Sequence, residues 1–108
     1  MKSKYKNIKC NGYDSKREAR RASQLDLMVK AGVIKDLQKQ VKFELQPSFR
    51  NKQGVTIRAI HYICDFVYYD NEKKMTVAED SKGFRTKDFI LKSKMFQFKY
   101  SEYYFLET

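Results

Sequence analysis

The sequence has no run of 18 apolar residues, only two cysteines and a single histidine. It also has no basic amphipathic helix with Trp or Phe on its apolar face, so neither a membrane-spanning nor a membrane-surface protein is expected. Cys10, Cys64 and His61 are too few to form a disulfide scaffold or a zinc site. We therefore expect two reduced thiols and a structural histidine.

No secretory leader pattern of charged, apolar and small residues opens the chain, which predicts a cytoplasmic location. At 108 residues the chain is expected to form a single domain, 1–108, in which binding and chemistry share one surface. Residues 1–11 predict a short strand or a loose basic arm that ends at the turn signal Asn11-Gly12.

The charge of the chain is strongly one-sided. Lysine and arginine number 23 against 13 aspartates and glutamates, which gives a formal net charge of +10. In so small a domain this excess produces a positive potential over much of the surface, so a polyanion is the expected partner. Because the membrane patterns are missing, nucleic acid is favoured over anionic lipid.

The first predicted element is a helix from residue 16 to about residue 31, ended by the glycine that follows. Ser15 with Glu18 three residues later forms a capping-box pattern, and Asp14 is the alternative cap. Apolar residues recur at spacings of three and four, which predicts one packing stripe. The stripe consists of Ala19, Ala22, Leu25 or Asp26, and Val29.

β patterns follow the helix. Residues 33–48 alternate between apolar and polar side chains until Pro47, which predicts a strand. Residues 55–69 and 75–81 predict further β structure, separated by turns at 51–54 and 70–74. Because these connections are short, we expect an antiparallel meander.

The C-terminal part predicts a second helix and a last strand. The helix covers residues 88–100, starts at Asp88 or Thr86, and has an apolar side made of Phe89, Met95, Phe96 and Tyr100. Residues 103–106 form the strand, which is expected to be parallel to a neighbour because a helix precedes it. This order of elements predicts an α/β or α+β core with one central sheet.

Two neighbouring strands carry the residues of chemical interest. Asp80 and Lys82 are two apart in a predicted strand and so share a face, whereas Glu79 and Ser81 take the other. If the two strands pair across the turn between them, Asp65 lies near Asp80. Two carboxylates at one place form an oxygen-rich site suited to Mg²⁺.

Such a site has a mechanism for phosphodiester hydrolysis. Carboxylates would hold Mg²⁺ against a non-bridging phosphate oxygen, and the metal would lower the pKa of the attacking water. Lys82 would orient that water and offset the charge that builds on the phosphorane. Glu18 would complete the metal shell from the first helix, although by itself it also fits a simple capping carboxylate.

Asp65 followed by Asp80-Ser81-Lys82 resembles the signature of the PD-(D/E)xK nuclease superfamily, with Glu18 matching the helix-borne acid of many members. The order of these residues is similar to that in Holliday-junction resolvases and in transposon endonuclease subunits. Four further runs are similar to small phage-encoded proteins of the superfamily, namely Ser15 to Ala19, Gln46-Pro47, Tyr62 to Phe66 and Glu79 to Gly83.

This resemblance implies a restriction-endonuclease-like core, with helices flanking a mixed four-stranded sheet. It implies catalysis by Asp65, Asp80, Lys82 and Glu18, Mg²⁺ held by the three acids with Mn²⁺ as a substitute, and frequent dimerisation, hence a homodimer. One departure from the family name is a cysteine in place of its proline. Another is that Glu79 stands beside Asp80, so a bulge in the strand would direct Glu79 into the site in place of Asp80. Regular strand geometry favours Asp80 as the residue that shares a face with Lys82.

Seven basic residues are the candidates for contacts with DNA. The arginines of the first helix could instead form a solvated face. Arg85 and Lys87, just after Lys82, are better placed to hold a scissile strand. The last helix of such nucleases often supplies a polar residue near the phosphate. The candidates are Arg17, Arg20, Arg21, Arg85, Lys87, Lys92 and Lys94.

The function predicted from these observations is metal-dependent endonucleolytic cleavage of double-stranded or branched DNA. The resemblance places it in phage replication, recombination or packaging, in the host cytoplasm. One alternative is a catalytically silent accessory factor of the same fold that binds DNA or a protein. An RNA-directed nuclease is the other, because no reader of the 2′-hydroxyl is identifiable in the sequence.

Overall fold

The computed structural model describes residues 15–108. The expectations for residues 1–14, including the N-terminal arm, the Asp14 cap and the Cys10 thiol, lie outside the described residues. In chain order the elements are α1 (Lys16–Lys30), β1 (Ile34–Gln46), β2 (Phe49–Arg50), β3 (Thr56–Ile57), β4 (Ile60–Asp70), β5 (Met75–Asp80), α2 (Lys87–Lys99) and β6 (Tyr104–Glu107).

Four of the strands form a mixed sheet in the order β1-β4-β5-β6. The β1–β4 and β4–β5 pairs are antiparallel, whereas β5 and β6 are parallel. Parallel neighbours need a crossover connection, which α2 supplies. The architecture is therefore α+β, and both the antiparallel meander and the parallel last strand are confirmed.

The two helices cover opposite faces of this sheet. Val77 belongs to a core cluster with Leu25 of α1, whereas its neighbour Ala78 belongs to a second cluster with Phe96 of α2. Neighbouring side chains on a strand point to opposite faces, so the sheet separates two cores. Neither helix in the described part of the chain is long and apolar enough to cross a membrane.

The limits of α1 agree with the sequence prediction to within a residue. The Ser15 side chain caps its first turn, and Gly32 follows its end with a φ of 77°, a left-handed conformation that glycine adopts without steric cost. Of the two stripe alternatives, Leu25 is buried and Asp26 is exposed. The prediction for Val29 was wrong, since its side chain is exposed in the last turn.

The predicted β region over residues 55–69 was wrong as a single unit. Its first residues form β3, which pairs with β2 in a separate two-stranded sheet, and the main strand β4 begins only at Ile60. A local turn explains the break: Asn51 Oδ1 accepts hydrogen bonds from Gln53 N at 3.0 Å and Val55 N at 2.9 Å. These bonds close a small hairpin before the chain enters the sheet.

Smaller differences affect the other limits. β1 is shorter than predicted at both ends, β5 ends at Asp80, and α2 begins one residue early, capped by Thr86 rather than Asp88. The buried side of α2 is formed by Phe89, Ser93 and Phe96. The aromatic face predicted for this helix is thus largely confirmed.

Candidate active site

Asp65 and Asp80 lie where β4 and β5 diverge. The ladder between these strands ends at Phe66 opposite Glu79, so the two aspartates are the next residues beyond its last pair. Asp65 Oδ2 accepts a hydrogen bond of 2.9 Å from Ser81 N. Both residues are buried, with 5% of Asp65 and none of Asp80 exposed. Two carboxylates therefore share one secluded place.

The Asp80 carboxylate is incompletely satisfied. Its Oδ2 accepts a hydrogen bond from the Tyr62 hydroxyl, but its Oδ1 accepts none from any described residue. Lys82 Nζ approaches Oδ1 to 3.2 Å as an ion pair without the geometry of a hydrogen bond. Burial, followed by repulsion from Asp65, raises the pKa of Asp80 to about 7.

Lys82 is fixed beside this pair by backbone contacts with the C-terminal segment. Lys82 N donates to the Thr108 carbonyl oxygen at 3.3 Å, and Thr108 N donates to the Asp80 carbonyl oxygen at 2.9 Å. Partial burial lowers the pKa of Lys82, but attraction to Asp80 and Asp65 outweighs it, so the pKa lies above its ordinary value. The ammonium group remains charged and directed at the carboxylates.

Glu18 reaches the same neighbourhood from α1. It is 4% exposed, and its Oε2 accepts a hydrogen bond of 2.5 Å from Gln40 Nε2. The same amide nitrogen lies 3.4 Å from Asp65 Oδ1. Gln40 thus connects the helix acid to the strand acid.

Sequence reasoning missed Gln40 because it occupies an ordinary polar position in a predicted strand. Its φ is 55°, a conformation that non-glycine residues adopt at a cost. The pairing of β1 with β4 runs from Lys39 opposite Phe66 to Val41 opposite Cys64, passing over Gln40 and its neighbour Asp65. From this position the Gln40 amide contacts both Glu18 and Asp65.

Glu79 takes no part in this cluster. Its fully buried carboxylate receives Arg21 Nε at 2.5 Å and Arg21 Nη2 at 3.1 Å, together with the hydroxyls of Tyr68 at 2.6 Å and Thr108 at 2.8 Å. The hydrogen bond to Glu79 is the main reason that the pKa of Arg21 is raised. Of the two adjacent acids, only Asp80 contacts Lys82.

The arrangement of Glu18, Asp65 and Asp80 meets only part of what a divalent cation site requires. Across residues 15–108 no group of three or more His, Cys, Asp or Glu side chains is arranged to hold a metal ion, and the Gln40 amide lies between Glu18 and Asp65. Asp65 and Asp80 nonetheless offer adjacent oxygens, one of them without a hydrogen bond. A half-turn of the amide would present the Gln40 carbonyl oxygen, which is also a donor suited to Mg²⁺.

A basic cleft adjoins the acids on the α1 side. This arginine cleft has a volume of about 220 Å³ and is lined by Arg17, Arg20, Arg21, Gln24, Ser81 and Thr108. Three of the predicted DNA-binding residues therefore lie together next to Ser81, whose backbone N–H holds Asp65. Because Glu79 offsets the charge of Arg21, Arg17 and Arg20 provide most of the positive potential.

A second cleft, of about 310 Å³, contains Lys82. This aromatic cleft is lined by His61, Tyr62, Ile63, Lys82, Phe84, Thr86, Asp88, Phe89 and Lys92. Lys82 Nζ lies 5.3 Å from the centroid of the Phe89 ring. The acid pair thus has a cleft beside Ser81 and another beside Lys82.

The remaining basic candidates are dispersed. Arg85 pairs with Glu107 at 3.1 Å, and Lys87 is exposed at the start of α2. Lys92 lines the aromatic cleft, but Lys94 lies on another side of α2, next to Leu45 and other apolar residues. The structure therefore brings Lys92, and not Lys94, to the neighbourhood of Lys82.

Cys64 lies close to the acids, but its thiol is not activated. It is a buried free thiol, and its Sγ donates to the carbonyl oxygens of Glu79 at 3.3 Å and Phe66 at 3.4 Å. Burial, reinforced by Asp80, raises the pKa of Cys64 to about 12. A thiol that stays protonated at neutral pH is a poor nucleophile.

Comparison with known families places the chain in one of them over almost its whole length. The family matched by residues 2–106 is described as Protein of unknown function (DUF1064). The chain belongs to the DUF1064 family. No curated protein and no solved structure matches it. Since the family description names no activity, a function for this DUF1064 member has to be argued from the site.

Proposed function

We propose that this DUF1064 protein is a metal-dependent DNA endonuclease with a restriction-endonuclease-like core, in which Asp65, Asp80 and Lys82 carry the chemistry. The observation that carries the proposal is the state of Asp80. Its buried Oδ1 accepts no hydrogen bond from the described residues, although Asp65 and Lys82 are adjacent. Strongly perturbed acids of this kind concentrate at functional sites.

A purely structural ion pair explains this arrangement poorly. A buried ion pair offsets the cost of removing its charges from water only when the remaining oxygens are hydrogen-bonded, and a buried carboxylate normally has its oxygens satisfied. Here a second carboxylate is held next to the first, which weakens the fold in the absence of a further cation. Glu79, by contrast, shows what a structural acid looks like in this chain, since both of its oxygens accept hydrogen bonds.

In the proposed reaction, Asp65 and Asp80 would hold the metal ion, and Gln40 separates them from Glu18. A divalent cation bound there would supply Lewis-acid polarisation of the phosphate and a more acidic water. Lys82 would place its positive charge beside the non-bridging oxygens, where negative charge increases in the transition state. The Tyr62 hydroxyl, which bonds Asp80 Oδ2, would orient that carboxylate.

The two clefts support nucleic acid as the substrate. The arginine cleft offers Arg17 and Arg20 to phosphates on the Ser81 side, and Lys82 with Lys92 offers positive charge on the other. A backbone crossing from one cleft to the other would pass the acid pair. The net charge of +10 would supply the attraction that guides a polyanion to the surface.

The mixed sheet order and its two flanking helices are also consistent with the proposed core. Asp80 ends β5, and Asp65 lies one residue beyond the last pair of the β4–β5 ladder, so both acids lie where the two central strands cease to pair. Glu18 comes from the helix that covers one face. The four residues of the predicted motif thus come from α1, β4, β5 and the segment that follows β5.

A second candidate is a DNA-binding accessory factor without turnover. One observation favours it: the Gln40 amide lies between Glu18 and Asp65, where a third ligand oxygen would be expected in an active metal site. The two candidates share the basic clefts and differ only in turnover.

Cleavage assays distinguish them. The purified protein is incubated with labelled duplex, single-stranded, flap and four-way-junction DNA, each in Mg²⁺, in Mn²⁺ and in EDTA. Cutting that requires a divalent ion supports the endonuclease, and the rates rank the substrates. Binding to these DNAs without cutting of any of them under either metal would replace the endonuclease by the accessory factor.

A further inference from the structure

The aromatic cleft has an apolar wall that the core does not need. Phe84, in the loop between β5 and α2, is 80% exposed, and Ile63 on β4 is 51% exposed. Both line the cleft, whose floor includes the buried Phe89. A phenylalanine held mostly in water contributes little to folding, so its place at the rim of a cleft points to a ligand with an apolar face.

The charges around this wall are those that suit a nucleotide. Lys82 belongs both to the cleft and to the acid site, since its Nζ lies 3.2 Å from Asp80 Oδ1. Lys92 also lines the cleft and pairs with Asp88 at 3.7 Å. A nucleotide whose phosphate is bound next to Lys82 would therefore have its base within reach of this apolar surface.

We propose that the aromatic cleft binds the base of an unpaired nucleotide adjacent to the scissile phosphate, with Phe84 and Ile63 contacting the face of the base. This inference rests on the proposed nuclease function and names the substrate class, namely DNA with unpaired nucleotides, such as flaps, junctions or single strands.

The size and lining of the cleft fit this occupant. Its volume of about 310 Å³ is at the small end of ligand pockets, which extend from about 300 to 1,000 Å³. It therefore suits one base rather than a stacked pair. His61 and Thr86 add polar groups to the charged Lys82, Asp88 and Lys92 of the same lining. In duplex DNA the faces of the bases are covered by their neighbours, so a base fills the cleft only when it is unstacked.

The test is equilibrium binding in EDTA, measured by fluorescence anisotropy on single-stranded, flap and duplex DNA. Phe84→Ala removes the stacking surface, and Phe84→Tyr retains it. Phe98→Ala is the matched control, because Phe98 is 89% exposed but lies on a separate apolar surface of α2. Folding of each variant is checked by its thermal unfolding.

Phe84→Ala is expected to weaken binding to single-stranded and flap DNA by at least about fivefold, in line with the loss of one base–aromatic contact. Duplex affinity should stay unchanged, and Phe84→Tyr should restore the affinity for unpaired DNA. A fluorescent base analogue in the single strand should be quenched by the wild-type protein and not by Phe84→Ala.

Equal losses on duplex and unpaired DNA, or no larger effect than Phe98→Ala, would overturn the inference. Because binding is measured without metal, this result is separate from the fate of the endonuclease. If the wild-type protein does not cut DNA but Phe84→Ala still weakens single-strand binding, the base site is supported and only the proposed nuclease activity is rejected.

Discussion

Glu79 and Asp80 are adjacent in β5, yet their buried carboxylates have different environments. Glu79 forms a two-point ion pair with Arg21, whereas Asp80 Oδ1 accepts no hydrogen bond from the described residues and lies 3.2 Å from the Lys82 ammonium group. Neighbouring side chains of a strand point to opposite faces, so one acid is directed into the α1 side of the fold and the other into the candidate site. Both oxygens of Glu79 accept hydrogen bonds, whereas one oxygen of Asp80 accepts none from the described residues.

The first prediction concerns the satisfied acid. Arg21→Ala should lower the free energy of unfolding by about 3–5 kcal/mol, because it leaves the Glu79 carboxylate buried without its cation. Urea denaturation measures this effect. The double variant Arg21→Met with Glu79→Leu should recover most of the loss. If Arg21→Ala is no more harmful than Arg20→Ala on the exposed side of α1, the ion pair does not have the assigned role.

The second prediction is a pH effect on the metal-free protein. The pKa of Asp80 rises from 3.8 to about 7 on folding, so between these values the folded state binds more protons than the unfolded state. The stability that this group provides is present at low pH and is lost as the pH rises through about 7. Asp80→Asn removes the effect, so from about pH 5 to about pH 8 its stability should increase relative to the wild type by about 1–3 kcal/mol.

Urea denaturation in EDTA at the two pH values tests this prediction. Asp88→Asn is the control, because it removes the carboxylate of an aspartate whose side chain is 76% exposed. A constant difference between Asp80→Asn and the wild type across this range would show that Asp80 is already ionised at low pH.

The third prediction concerns the conformation of Gln40. Because its φ is 55°, Gln40→Gly should be more stable than Gln40→Ala by about 1 kcal/mol, although both lose the amide. At Lys42, an exposed position of the same strand, the alanine variant should instead be more stable than the glycine variant. Thermal unfolding of the four variants in EDTA gives the comparison. If the alanine variant is more stable than the glycine variant at both positions, the backbone of Gln40 is not strained as described.

The fourth prediction concerns phosphate contacts. Affinity for duplex DNA should fall steeply with salt, and Arg20→Ala should reduce the slope of log K against log salt by about 1. Lys30→Ala removes the same charge from the other end of α1 and should leave the slope unchanged. Anisotropy titrations over a range of salt concentrations measure both. A slope unaffected by Arg20→Ala would remove the arginine cleft from the DNA-binding surface.

Much of the fold could be predicted from the sequence because its signals are local. Ser15 and the glycine after α1 define the limits of that helix, and alternation in residues 33–48 predicts the strand. The relationship of Asp80 to Lys82 follows from the two-residue period of a strand, although Lys82 lies just beyond the end of β5. The parallel last strand followed from the helix that precedes it.

Other features depend on contacts between distant parts of the chain. The left-handed conformation of Gln40 has no sequence signal, since the residue reads as one more polar position in a strand. The pairing of Arg21 with Glu79 was equally hidden, because both residues occur in patterns typical of solvated or catalytic groups. Phe84 lies between the predicted strand 75–81 and the predicted helix 88–100, and only the fold places it in a cleft with Lys82.

The most direct measurement of the central claim is the rate of Mg²⁺-dependent DNA cleavage by three variants. Asp80→Asn and Lys82→Met should each reduce the rate by at least about 100-fold, the loss typical of removing one group that stabilises developing charge, while DNA affinity and folding are retained. Lys73→Met, which removes an exposed charge in the turn between β4 and β5, at the opposite end of β5 from Asp80, should cut at nearly the wild-type rate. Cleavage at the wild-type rate by either Asp80→Asn or Lys82→Met would contradict the assignment of the active site.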